Sequence, residues 1–252
     1  MLEVLSIPPQ RPLPSLPASH TGRASDGGLR DYYGRMFSTL GPQHWWPSSK
    51  SGGPFEVIVG AILTQSTAWV NVEKAIANLR RAQLLHPRAI ERVPMARLGR
   101  LVRPSGYFRQ KAKKLKAFVH FLRQQFGGSL ARMFRTPTAE LREMLLDVHG
   151  IGPETADSIL LYAGEHPVFV VDAYTRRVLV RHGLLGEKAG YQEMRALFEN
   201  SLPRDARLFN EYHALLVNVG KKWCRPREPR CAECPLQSFL PATGPRLLEI
   251  RK

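Results

Sequence analysis

Cysteine is scarce in this chain, and the three present in 252 residues all fall between Cys224 and Cys234. Such usage excludes the dense disulfide framework of a small secreted domain and points to an intracellular metal or cluster site. Long apolar runs are missing as well. The most apolar stretch, Phe55 to Leu63, is far shorter than the roughly 18 residues of a membrane span and carries Glu56, so no membrane partner is expected. No signal-peptide core is recognisable, and the expected location is cytoplasmic, nucleoid-associated if the source is bacterial. Acid is in short supply: 21 Asp and Glu stand against 37 Lys and Arg, giving a formal charge of +16. That balance favours a polyanion partner, with nucleic acid ahead of an anionic membrane or a ribosomal role. Residues 1–28 have little with which to build a core. They hold five prolines between Pro8 and Pro17 and end in Gly27-Gly28, the composition of a flexible tail.

What remains is helical in pattern. From Leu29 onward apolar residues recur at spacings of three and four, and alternating runs long enough for a sheet are few. The pattern predicts helices over Leu29–Leu40, Phe55–Leu63, Thr67–Gln83, Pro87–Val93, Met95–Arg103 and Gln110–Phe126. It predicts further helices over Thr138–Val148, Pro153–Gly164, Ala173–His182, Tyr191–Ser201 and Ala206–Lys222. The expected class is all-α, without internal repeats or coiled-coil heptads.

The shortest connection carries the most information. Leu141, Leu145 and Val148 form one face of a helix that stops at Gly150, and Pro153 starts another whose stripe is Ala156, Ile159, Leu160 and Ala163. Only Gly150-Ile151-Gly152 lies between. Glycines let backbone approach a ligand, the free N–H groups of a helix start suit a phosphate, and Ile151 is placed to plug the gap between the helices. A tight helix-helix turn with no ligand uses the same residues. Further on, Val168-Phe169-Val170-Val171 leads to Asp172 at the start of a helix. Alone, Asp172 reads equally as an N-cap.

Together, Val148-His149-Gly150-Ile151-Gly152-Pro153-Glu154-Thr155-Ala156 and Asp172 resemble the helix-hairpin-helix DNA glycosylases of the endonuclease III superfamily. The resemblance implies that Asp172 is the catalytic carboxylate, which stabilises an oxocarbenium-like sugar and orients or deprotonates water as the C1′–N bond breaks. Where strand-cleaving relatives carry a lysine that forms a Schiff base, this chain has Glu154. A carboxylate cannot form the imine, so the resemblance implies a monofunctional glycosylase with little or no AP lyase activity. Glu154 also suits the helix dipole as a first-turn acid.

A base inside a duplex must be flipped before it can be cut out, and something must fill the gap. Ile62-Leu63-Thr64-Gln65-Ser66-Thr67 is similar to the family segment whose glutamine enters the stack, with Gln65 in that role; a break and cap between two helices is the plainer reading. Arg103-Pro104-Ser105-Gly106-Tyr107-Phe108 looks like the second loop, with Tyr107 or Phe108 able to wedge against the opposite strand. Lys111 belongs to a surrounding basic cluster and is expected to bind DNA with Gln65, Tyr107, Gly150, Ile151 and Gly152. If about six phosphates are contacted, log affinity falls with log salt at a slope of about 5. Trp45-Trp46, with Leu63-Thr64-Gln65 and Arg103-Pro104-Ser105-Gly106, resembles the 3-methyladenine glycosylase III, or endonuclease III-related, branch. An indole wall at Trp45 or Trp46 suits the cationic ring of an alkylated purine. Two buried structural tryptophans are the alternative.

Cys224, Cys231 and Cys234 reproduce three ligands of the family's four-cysteine 4Fe-4S pattern, but Leu240 stands at the fourth position. The alternatives are a cluster completed by another ligand, a zinc site using His213, or no metal. The resemblance implies two all-helical domains with DNA in the cleft between them: 54–166, a six-helix domain with the hairpin, and 29–53 joined to 167–240, with Asp172 and the cysteines. Residues 241–252 form a tail, and a monomer acting on damaged double-stranded DNA is expected. Two rival functions stay open. One is a bifunctional glycosylase/AP lyase acting on oxidised pyrimidines, and the other a noncatalytic helix-hairpin-helix DNA-binding protein.

Overall fold

The computed structural model describes residues 27–43 and 53–246, and among these every regular element is helical. Helices α1 (Gly27–Leu40), α2 (Gly53–Leu63), α3 (Trp69–Arg81), α4 (Pro87–Arg92), α5 (Met95–Val102) and α6 (Phe108–Phe126) come first. They are followed by α7 (Leu130–Met133), α8 (Thr138–Leu146), α9 (Pro153–Ser158), α10 (Ala173–Arg181), α11 (Tyr191–Ser201) and α12 (Ala206–Lys222). The expected all-α class holds. Most predicted ends move by one or two residues, as helix ends do. Two differences are larger. The short α7 lacks enough turns to leave a periodic pattern, and the helix expected over Pro153–Gly164 is α9 followed by a π-helical turn, Ile159–Ala163.

Helix α2 is the centre of the molecule. Phe55 to Leu63 are all buried, which is why this segment is apolar on every side instead of striped. Its one acid, Glu56, accepts two bonds from the Arg80 guanidinium of α3, at 2.8 and 2.7 Å. Around α2 pack α3, α6, α9 and the π-turn.

The chain after residue 166 uses α12 as its spine, with α1 and α10 packed on it. Tyr212 Oη donates to the Leu29 carbonyl (2.8 Å), and the Gln43 N–H donates to Glu211 (2.6 Å), so the first helix is bound to the last. Between α9 and α10 the chain runs extended. Val168 to Val171 are buried, and the Phe169 ring stacks on Phe198 at 3.8 Å with Phe209 and Tyr212 edge-on to it. The Phe169 N–H is held by Glu199 at 2.9 Å. This packed rod ends at Asp172.

An ion-pair network ties the hairpin to that rod. Asp157 of α9 has no exposed side-chain surface; it accepts from Arg142 Nε of α8 (2.7 Å) and Tyr191 Oη of α11 (2.8 Å), with Arg195 at 3.6 Å. Arg195 in turn reaches Glu199 at 3.3 Å, the residue that anchors Phe169.

Candidate active site

The hairpin closes as glycine chemistry dictates. Gly150 has φ +81, a left-handed conformation that other residues adopt at a cost, and a Cβ placed there meets the Lys114 stem at 2.5 Å. Ile151 is 4% exposed and belongs to the buried core. Gly152 is the N-cap of α9, with Pro153 at N1.

Gln65 lies against this turn. Its Nε2 donates to the Gly150 carbonyl (3.0 Å) and to Thr155 Oγ1 (2.9 Å), and its Oε1 accepts from Lys114 Nζ. The residue expected to enter the base stack is thus hydrogen-bonded to the hairpin turn. On the second loop, Tyr107 takes a left-handed φ of 43 after Gly106 and is 73% exposed. Phe108 is partly buried against the core instead. Of the two aromatic wedges left open above, Tyr107 is the accessible one.

Lys111 requires a correction. Expected among the DNA ligands, it is 2% exposed, and its Nζ donates to the carbonyls of Leu63 (2.9 Å) and Ser105 (2.6 Å). Leu63 is the last residue of α2, whose terminal carbonyls need donors, and Ser105 precedes the Tyr107 loop. Lys111 thus links the Gln65 loop to the Tyr107 loop from beneath. Burial, then the neighbouring Lys114 charge, lowers its pKa to about 8. Lys111→Ala should cost about 1–3 kcal/mol in urea denaturation while leaving the salt slope of DNA affinity unchanged; a reduced slope at parental stability would return Lys111 to the phosphate contacts.

The Gln65 loop, the hairpin and Asp172 line one cleft of about 1140 Å³. Asp172 is the N-cap of α10: its Oδ1 accepts from the Thr175 N–H at 2.8 Å. Its Oδ2 lies 3.6 Å from His213 Nε2. The capping role and a place in the cleft therefore coexist. Burial pushes the Asp172 pKa up, but His213 and the Thr175 bonds outweigh it and leave the carboxyl below its ordinary value. Glu154, in the first turn of α9, moves the opposite way. Its side chain is open to the cleft, yet the surrounding protein raises its pKa, Asp172 adds to the rise, and His213 partly offsets it. Two carboxyls with diverging affinities for a proton thus share one concavity.

Several residues were not placed in the cleft by sequence reasoning: Trp69, Tyr162, Tyr191, His213 and Lys221. Each sits on a helix whose pattern reads as ordinary core or solvent face, so no local signal marks it. The alternative of a zinc site using His213 is set aside, since its ring belongs to the Asp172 cleft. Trp45 and Trp46 lie outside the described residues.

Cys224, Cys231 and Cys234 converge on a second, small pocket of about 10 Å³ that Leu240 also lines. Arg181 Nη1 donates to Cys224 Sγ at 3.3 Å and to the Arg225 carbonyl at 2.6 Å. As they stand, no three His, Cys, Asp or Glu among the described residues are gathered so as to hold a metal ion. The chain supplies thiols for three of the four ligands of such a cluster, and where the fourth would stand Leu240 offers only an alkyl group.

With this geometry in view, known proteins are informative. Residues 59–204 match the family model described as HhH-GPD superfamily base excision DNA repair protein. A protein of Methanocaldococcus jannaschii provisionally named a DNA repair glycosylase is 45% identical over 213 residues, covering 84% of this chain and 91% of that one. Endonuclease III of Thermotoga maritima is 29% identical over 189 residues, 75% of this chain and 83% of that protein. Among solved structures, the H. pylori 3-methyladenine DNA glycosylase (MagIII) bound to 1,N6-ethenoadenine is similar at a TM-score of 0.64 and 29% identity, covering 76% of this chain and 96% of that one. A non-covalent endonuclease III–DNA complex shares the fold at a TM-score of 0.69 and 22% identity, with coverage of 83% and 91%.

Proposed function

Since the chain belongs to the HhH-GPD superfamily of base excision DNA repair proteins, we propose that it is a monofunctional DNA N-glycosylase acting on alkylated purines in double-stranded DNA. The observation that carries this reading is the pairing of Asp172 with Glu154 in the cleft beside the hairpin. Asp172, with its low pKa, is ionised at neutral pH and supplies negative charge where the sugar turns cationic as the glycosidic bond breaks. The same carboxylate orients the water that completes hydrolysis at C1′. Glu154 has no amine with which to capture the sugar, so the product is an intact strand with an abasic site.

DNA lies across the cleft in this proposal, between the 54–166 unit and the unit made of 29–53 and 167–240. The backbone of Gly150-Ile151-Gly152 approaches the phosphates, Gln65 takes the place of the extruded base and Tyr107 wedges against the opposite strand. The alkylated-purine choice draws on the likeness to the H. pylori 3-methyladenine glycosylase and on Trp45-Trp46. A panel of duplexes carrying 3-methyladenine, 7-methylguanine, thymine glycol, uracil and mismatched adenine tests it. Release of the methylated purines ahead of the others is expected, and preferential release of thymine glycol overturns it.

The bifunctional reading has one specific point in its favour: Lys221 and Lys114 also line the cleft. Lys114 is engaged with Gln65, which leaves Lys221 as the amine to test. Borohydride treatment on abasic duplex should leave no trapped protein; a covalent adduct lost in Lys221→Ala would make the protein a lyase. A 4Fe-4S cluster held by Cys224, Cys231 and Cys234 belongs to the proposal as a structural group, supported by the convergence of the three thiols and the Arg181 N–H on Cys224. No step of the reaction runs through it. Iron and visible absorption are expected in protein purified without oxygen, and colourless, iron-free protein removes the cluster.

A further inference from the structure

His213 is the least expected member of the cleft. It sits mid-way along α12 and is 3% exposed, a poor setting for an imidazole unless something specific holds it there. Two groups flank its ring. Tyr162 Oη of the π-turn lies 2.5 Å from Nδ1, and Asp172 Oδ2 at the start of α10 lies 3.6 Å from Nε2. The Phe169 ring closes one side edge-on, at 6.4 Å between centroids and 87° between planes. The ring is therefore fixed in rotation by packing and in tautomer by its neighbours.

The tautomer follows from the bonding. Tyr162 is fully enclosed, and burial followed by the Asp172 and Glu154 charges pushes its pKa far up, so it remains a hydroxyl. In a neutral ring that hydroxyl donates to Nδ1 and the hydrogen resides on Nε2; the opposite tautomer sets the Nε2 lone pair against a carboxylate. In a charged ring both nitrogens carry hydrogen. Either way an N–H faces Asp172.

We propose that His213 is a positioning residue for Asp172: held at Nδ1 by Tyr162, its Nε2–H fixes the carboxylate and preserves its charge through the reaction. The proposal rests on Asp172 being the reactive carboxylate. With Thr175 N–H on Oδ1 and His213 on Oδ2, each oxygen keeps a lone pair for the sugar and water. The separation of 3.6 Å is longer than a closed hydrogen bond, and catalytic contacts of this kind tighten when substrate is bound. The arrangement is an orienting triad in reverse: the imidazole holds the carboxylate, and the phenol holds the imidazole.

The other ionisable groups lining the cleft with Asp172 are Lys114 of α6, Glu154 of α9, Tyr162 of the π-turn, Tyr174 of α10, Tyr191 of α11 and Lys221 of α12. Of these, Glu154 is the other carboxyl, and the Asp172 charge acts on it directly. The experiment is therefore done in a Glu154→Gln background as well as in the parent. His213→Phe removes the donor and keeps the volume, His213→Gln restores an N–H, and Tyr162→Phe releases the ring.

Two readouts are taken. One is the carboxyl titration of Asp172 by 13C NMR, assigned with Asp172→Asn, and the other is single-turnover base release against pH. In His213→Phe the Asp172 titration is expected to rise by about one unit or more, moving the acid limb of release to higher pH. Release at neutral pH should fall roughly a hundredfold, with affinity for a duplex containing an uncleavable abasic analogue within about twofold of the parent. His213→Gln should recover most of the loss, and Tyr162→Phe should shift the titration in the same direction by less. An unchanged Asp172 titration in folded His213→Phe, or in Tyr162→Phe should His213→Phe not fold, overturns the proposal. If the parent releases no base from any duplex, the assigned activity fails, and the titration alone still decides whether His213 holds Asp172.

Discussion

Asp172→Asn should release base at least about a thousandfold more slowly than the parent while binding an abasic-analogue duplex with near-parental affinity. The substitution isolates charge because of where the residue sits. As N-cap of α10, Asp172 accepts the Thr175 N–H through Oδ1, and asparagine, an equally good cap, keeps that bond. The amide loses the negative charge and, at the Oδ2 position, the acceptor that faces His213. Asp172→Ala removes the cap as well and should cost about 1 kcal/mol of stability, so the two variants separate the roles that the sequence alone leaves entangled. Near-parental release by folded Asp172→Asn would leave this residue a cap and nothing more. Release by no variant, with DNA binding intact in all, would favour the noncatalytic DNA-binding alternative.

The largest stability change is expected at Asp157, which is not in the cleft lining. It is the carboxylate on which Arg142, Tyr191 and Arg195 converge, and the Arg142 side chain is only 7% exposed. Truncating Asp157 leaves a buried guanidinium without its counter-charge, which typically costs about 3–5 kcal/mol. Asp157→Ala is thus expected to lower the urea midpoint sharply, and base release should weaken too, because the hairpin and the Asp172 rod share this network through Glu199. Replacement of both partners by apolar residues, in Asp157→Leu with Arg142→Met, should recover much of the stability without recovering the geometry. A loss of less than about 1 kcal/mol in Asp157→Ala would mean that water reaches Arg142 and that the network is incidental.

How much of this was legible beforehand follows the range of the interactions. The hairpin was readable since glycine, proline and helical periodicity act within a few residues, and Asp172 since capping is local too. Gln65 was singled out by resemblance, yet its hold on the Gly150 carbonyl joins residues 85 apart in sequence and left no local sign. Lys111 was misplaced because a basic residue in a basic run reads as surface; only the carbonyls at the end of α2, folded beneath it, turn it inward. Tyr162 and Tyr191 left no sign, each occupying a position that helical periodicity assigns to core, and His213 was weighed only as a zinc ligand. Their place in the cleft arises from which atoms meet when separate elements pack.

The posture of Gln65 has a consequence for how such a protein would travel on DNA. In the free molecule its amide is committed to Gly150, Thr155 and Lys114, and at about 1 kcal/mol for each bond a few kcal/mol must be given up before it can probe a duplex. If Gln65 enters the duplex as proposed, those three bonds set a threshold that an intact stack does not repay and the gap at a weakened pair does, so one side chain would both stay out of sound sequence and respond to a damaged one.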